Sequence, residues 1–98
     1  MILVRDVFQL KFGKARDAIN LFRESPEGMQ QFGNSPVRLL TDLSGTFYTL
    51  VMETTFDNMA DYENSFKKVT SNSEWKNWYQ KVTPLVETGR REIFTIVK

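Results

Sequence analysis

Six runs of apolar residues divide the chain, and their spacing follows the order strand, helix, strand, strand, helix, strand. Ile2 to Lys11 reads as a strand: Val4, Phe8 and Leu10 recur on one parity, while Arg5, Gln9 and Lys11 share the other with Leu3 and Val7. Gly13 breaks the pattern, and the spacing then becomes helical over Lys14 to Glu24. Ala15, Ala18, Ile19 and Phe22 form the apolar stripe of that helix. Ser25-Pro26 stops it, because proline disfavours helical geometry in the residue before it. Ser25 to Pro36 has no clear period and is expected to hold an extra helical turn followed by a loop.

Val37 to Leu43 and Phe47 to Phe56 read as a hairpin turning at Ser44-Gly45. Asp57 has the chemistry of an N-cap for the next helix, whose stripe is Met59, Tyr62, Phe66 and Val69. After a polar break, Ser71 and Glu74 have capping-box spacing, and Trp75, Trp78, Tyr79 and Val82 share one helical face. Pro84 kinks or ends that helix, Thr88-Gly89 turns the chain, and Arg91 to Val97 supplies the last strand. No linker, repeat or low-complexity tract interrupts residues 1–98, which read as one α+β domain.

Right-handed crossovers place such a chain in an antiparallel sheet of strand order 4-1-3-2, with all helices on one face. A tight hairpin sets Leu43 opposite Thr46, Leu39 opposite Leu50 and Val37 opposite Met52, which makes an apolar face for the helices. The other face receives Arg38, Leu40, Asp42, Phe47, Thr49, Val51 and Glu53, joined by Leu3, Arg5, Val7 and Gln9. Asp6 points toward the helices, where only a partner or an edge position accounts for it. Leu3, Val7, Leu40, Phe47 and Val51 form an exposed apolar patch that soluble monomers rarely tolerate. Burying about 400 Å² of it per subunit gives a gross gain of about 10 kcal/mol, against an association cost of roughly 4 to 15 kcal/mol. A twofold homodimer is therefore expected.

Composition removes several chemistries. Thirteen basic residues nearly cancel twelve acidic ones, so no long-range field would hold a polyanion. Cysteine is absent, and with it disulfides, thiolate nucleophiles and sulfur ligands. Histidine is absent too, which excludes a serine–histidine hydrolase and removes the commonest proton shuttle and metal ligand. No ligand spacing joins Asp6, Asp42, Glu53, Asp57 and Asp61 into a metal site, and no cofactor is implied. Arg5 and Asp6 interrupt the apolar N-terminus and no run is long enough to span a bilayer, so the default expectation is a cytoplasmic protein without membrane partners.

The hairpin Arg38-Leu39-Leu40-Thr41-Asp42-Leu43-Ser44-Gly45-Thr46-Phe47-Tyr48-Thr49-Leu50-Val51, with Glu74-Trp75-Lys76-Asn77-Trp78-Tyr79 and Gly89-Arg90-Arg91-Glu92-Ile93-Phe94, resembles small NIPSNAP-like proteins of the dimeric α/β-barrel superfamily. The opening Phe8-Gln9-Leu10-Lys11-Phe12-Gly13-Lys14 fits as well, and Thr46 stands where relatives often have proline. The resemblance implies a ferredoxin-like protomer and a homodimer whose two sheets close a barrel. It is weak for activity: the superfamily includes cofactor-free monooxygenases, isomerases and haem-degrading enzymes, and the last lean on a histidine that this chain lacks.

Two constellations remain as candidate sites. Arg5, Arg38, Asp42 and Glu53 could form a wet cluster in which Arg38 holds an anion or enolate and a carboxylate acts as base. The plainer reading is a set of mutual ion pairs that fixes dimer register. Trp75 and Trp78, with Tyr79, could line a pocket between helix and sheet, though aromatics at helical spacing usually form core, as Tyr62 and Phe66 are expected to. Gly28 to Ser35 is either a lid or a surface connection, and Lys67-Lys68 and Arg90-Arg91 read as solvated charges. The RNA-recognition motif shares the same element order, but Ser44-Gly45-Thr46-Phe47 lacks its basic residue, which argues against nucleic acid. The expectation is a homodimer that binds a small, partly apolar molecule. Its alternatives are a cofactor-independent monooxygenase or isomerase and a non-catalytic assembly module.

Overall fold

Alternation carries β1 from Ile2 to Leu10 in the computed structural model, which describes residues 1–26, 29, 32–34 and 36–98. β1 is central. It pairs antiparallel with β3 (Thr49–Phe56) on one side and β4 (Val86–Thr95) on the other, and β2 (Arg38–Thr41) extends the sheet beyond β3. The order is β4-β1-β3-β2, the ferredoxin-like arrangement read from the element order. Helices α1 (Ala15–Arg23), α2 (Met59–Thr70) and α3 (Ser73–Val82) lie on one face, and a 3-10 turn at Thr83–Leu85, carrying Pro84, leads into β4. The molecule measures 37 × 33 × 19 Å, a slab of one sheet and one helical layer. Among the described residues no helix is long and apolar enough to cross a membrane.

The core lies where the two layers meet. Leu10, Leu50 and Met52 from the sheet pack with Ala18, Phe22, Trp78 and Val82 from the helices. Val4, Phe56, Phe32 and Tyr62 form a second cluster. The rings meet edge-on, Phe22 with Trp78 at 5.1 Å and Phe56 with Tyr62 at 5.2 Å between centroids.

The hairpin is not the tight turn expected. Its strands close with Leu39 opposite Met52 and Thr41 opposite Leu50, two residues out of the predicted register. The cause lies in Asp42, whose Oδ1 accepts from the Thr49 backbone N at 2.8 Å and holds open a loop from Leu43 to Tyr48. Tyr48 takes φ 61° to complete it. A slip of two preserves parity, so every strand side chain keeps its predicted face. Phe47, however, leaves the strand for the loop and is 71% exposed.

Three smaller expectations also change. Asn58, rather than Asp57, caps α2, its Oδ1 accepting from Asp61 N at 2.9 Å, while Asp57 accepts from Asn34 Nδ2 at 2.8 Å. Asn72, rather than Ser71, caps α3 by accepting from Glu74 N at 2.7 Å, and Ser71 closes the end of α2. Thr88-Gly89 is no turn: both residues lie within β4, where Gly89 faces Phe8 and a Cβ would stand 3.2 Å from that ring. The extra helical turn expected between Ser25 and Pro36 falls largely outside the described residues.

Candidate functional site

A cavity of about 220 Å³ opens between the sheet and the helices. Phe8 and Met52 come to it from the sheet, Phe22 from α1, Phe66 from α2, and Trp75 and Trp78 from α3. Both tryptophans therefore face it, in two different ways. Trp78 is 8% exposed and anchored, its Nε1 donating to the Leu21 carbonyl at 2.6 Å. Trp75 stacks on Tyr79 at 4.8 Å with the rings nearly parallel. Met29 and Phe32 also contribute to the wall, whereas Gly28, Gln30, Gln31 and Ser35 of the candidate lid lie outside the described residues.

Among the described residues, one ion pair breaks the largely apolar lining. Asp6 and Arg91 face each other across β1 and β4, and the guanidinium donates through Nε to Oδ1 at 2.6 Å and through Nη2 to Oδ2 at 3.3 Å. Asp6 is buried, and Arg91 lies over the Phe66 ring at 4.9 Å and the Tyr62 ring at 5.7 Å. Burial alone would lower the Arg91 pKa, but the hydrogen bond and charge of Asp6 outweigh it and raise the value. Arg91 is thus not the freely solvated charge that its position beside Arg90 suggested. Close by, Tyr62 is 6% exposed and its hydroxyl has no hydrogen-bond partner among the described residues, and burial pushes its pKa above the ordinary value.

The charges singled out in the sequence lie on the opposite face. Parity requires this, because Arg5 and Asp6 are neighbours on a strand and point apart. Arg38, Glu53, Arg5 and Glu92 stand level with one another across the four strands. They form a row of alternating sign: Arg38 Nη2 to Glu53 Oε1 at 2.6 Å, Arg5 Nε to Glu53 Oε2 at 2.7 Å, and Arg5 Nη1 to Glu92 Oε1 at 3.7 Å. Arg90 Nε reaches the other Glu92 oxygen at 3.3 Å. The Arg38 hydrogen bond, with that of Arg5, holds the Glu53 carboxyl below its usual value against the opposing effect of burial. A carboxylate held in this way is a weaker base than a free one, which suits Glu53 to ion pairing. Asp42 does not join the row. Its carboxylate caps Thr49, and the residue rims a shallow depression shared with Gln9, Leu40 and Arg90.

The expected apolar patch is present in altered form. Val7 is only 5% exposed, covered within its own chain, while Leu3 and Val51 are half-buried and Leu40 remains 38% exposed. Phe94, which the pattern did not flag, lies opposite Leu3 on this face, 45% exposed beneath the Arg5 guanidinium. The ion pair in the cavity was missed as well. Its only signal was Asp6, a carboxylate on the helix-facing parity that demanded a cation.

The family model for NIPSNAP matches residues 5–98. Among solved structures, an uncharacterized NIPSNAP domain protein from Burkholderia xenovorans superposes with a TM-score of 0.88 at 15% identity, over 99% of this chain and 95% of that one. A NIPSNAP family protein from Agrobacterium tumefaciens gives 0.88 at 16% identity, over 98% and 85% of the two chains. A putative antibiotic biosynthesis monooxygenase from Nitrosomonas europaea gives 0.76 at 13% identity over the whole of both chains. No curated protein sequence matches. Identities this low speak for the fold alone, whereas the family pattern extends from the middle of β1 through the last strand. The chain belongs to the NIPSNAP family.

Proposed function

We propose that this protein is a homodimer in which each protomer binds a small, partly apolar molecule in the cavity between sheet and helices. The observation that carries the reading is the cavity itself: about 220 Å³, walled by aromatic rings, with one ion pair, Asp6–Arg91, among the described residues of its lining. Binding pockets combine mostly apolar walls with a few placed polar groups, and this volume suits a ligand of one ring and a substituent.

The dimer reading rests on the open face. Leu3, Leu40, Val51 and Phe94 offer apolar area there, and the charges between them already neutralise one another in the Arg38–Glu53–Arg5–Glu92 row. Covering such a row costs desolvation, and because each ion takes its partner along, the pairing offsets part of that cost. The likeness to an antibiotic biosynthesis monooxygenase fold supports a second reading, cofactor-independent oxygenation or isomerisation of a ligand in the same cavity.

The chain has two tryptophans and both line the cavity, so intrinsic fluorescence reports its occupancy directly. Titration with small aromatic probes such as benzamide should quench or shift that emission saturably. Unchanged emission across the whole panel would defeat the binding reading, and sedimentation as a monomer at micromolar concentration would defeat the dimer.

A further inference from the structure

We infer that the cavity selects uncharged molecules bearing a hydrogen-bond acceptor, and that Asp6 is the residue that sets this selectivity. The inference rests on the cavity-binding reading above and deepens it. Among the described residues that line the cavity, Asp6 and Arg91 are the only charged groups, and their charges cancel. Both Asp6 oxygens are taken by Arg91, at 2.6 and 3.3 Å, and the guanidinium is fixed from its other side by the Phe66 ring at 4.9 Å.

A carboxylate entering this space would shed its hydration, a cost of several kcal/mol. It would find its one counter-ion already engaged. To reach Arg91 it would have to displace Asp6, and that buried carboxylate has no other partner among the described residues. A cation meets the mirror-image obstacle, since Asp6 is neutralised. A neutral molecule leaves the pair intact. Of the five guanidinium N–H donors, Asp6 engages two, so others remain for a carbonyl or amide oxygen. Two other wall donors are spent, Trp78 Nε1 on Leu21 and Thr70 Oγ1 on the Phe66 carbonyl, at 2.6 and 2.8 Å, while Trp75 and Tyr79 add neutral donors to the same wall. Arg91 is thus the one cationic donor in the described lining, and Asp6 cancels its attraction for anions.

The test compares two probes of nearly equal shape, benzamide and benzoate, titrated at neutral pH against the full chain by tryptophan fluorescence. Benzamide should bind about tenfold more tightly than benzoate, or better. In Asp6→Asn, which keeps the shape and removes the counter-charge, benzoate should gain about tenfold while benzamide moves by less than about threefold. Benzoate binding the unmodified protein as well as benzamide does, or a benzoate affinity indifferent to Asp6→Asn, overturns the inference while leaving the cavity reading intact. Neither probe binding either protein overturns both. Should Asp6→Asn fail to fold, the unmodified protein serves. Its affinity for benzoate should climb as the pH falls toward about 5 and the neutral acid appears, and a flat profile counts against the selectivity.

Discussion

Asp6 and Arg91 lie 85 positions apart in sequence and meet through a 2.6 Å hydrogen bond on the side of the sheet that the helices cover. Removing the cation alone strands a buried carboxylate. Arg91→Met should cost about 2 kcal/mol, moderated by the partial exposure of the arginine. The double variant Asp6→Leu/Arg91→Met should lose less than the sum of its singles, by about 1 kcal/mol or more. Urea denaturation of the four proteins reads the coupling, and additive losses would deny it.

Glu53 gives the chain an acid-sensitive point. Its folded pKa lies below the ordinary value of 4.5, chiefly through the Arg38 hydrogen bond, so the unfolded chain binds the proton more readily. The stability it contributes is therefore complete above that ordinary value and is lost as the pH falls through the lowered one. Glu53→Gln should cost about 1 to 2 kcal/mol at neutral pH and proportionally less in acid. Unfolding curves that stay equally separated at both pH values would contradict this.

Tyr62 presents the opposite case. Its buried hydroxyl has no hydrogen-bond partner among the described residues, so Tyr62→Phe should raise stability by about 1 kcal/mol rather than lower it. Because burial lifts the folded pKa above the ordinary 10.0, the tyrosine's contribution is fully present below that value and is lost as the pH rises through the lifted one. The phenylalanine variant should escape this alkaline loss. Thermal melts at neutral and high pH measure both effects, and a lower melting temperature at neutral pH would contradict the account.

Gly33 is tied to its backbone. It sits at φ 95°, and a Cβ there would stand 2.7 Å from the Thr55 carbonyl oxygen, which also accepts from Asn34 N at 2.8 Å. Gly33→Ala is expected to cost about 2 kcal/mol or more, from strain and the clash together. A melting temperature within a degree or so of the parent's would show that the segment yields freely.

The dimer proposal makes a surface prediction. Leu40 lies on the open face and is 38% exposed, whereas Leu43 stands fully exposed in the loop. Leu40→Glu should convert the dimer to monomer at micromolar concentration with the far-ultraviolet dichroism unchanged, and Leu43→Ser should leave the dimer as it was. Sedimentation velocity separates the two outcomes. A dimer indifferent to Leu40→Glu moves the interface elsewhere.

Much of this arrangement was legible in the residues themselves. Alternation in β1 gave both faces, including the inward Asp6, and the stripe of α3 placed Trp75 and Trp78 toward the sheet. Gly89 misled because a glycine marks a missing Cβ without saying why: what it leaves space for is Phe8, not a turn. Asp57 and Asn58 can both cap a helix, and only the path of the chain chose between them. Arg91 read as a solvated charge because both parities of its strand mix charged and apolar residues, Arg91 with Ile93 and Arg90 with Phe94, so alternation carried no signal there.

The sequence by itself determined the order of the elements and the two-sidedness of each strand, since period and parity are local properties that the chain carries wherever it goes. The tertiary structure decided which charges meet. Register between strands depends on loops such as the one Asp42 holds open, and a slip of two residues leaves every face unchanged while altering every neighbour. For that reason Arg5, Arg38 and Glu53 became one row on the outer face, and Asp6 found Arg91 on the inner one.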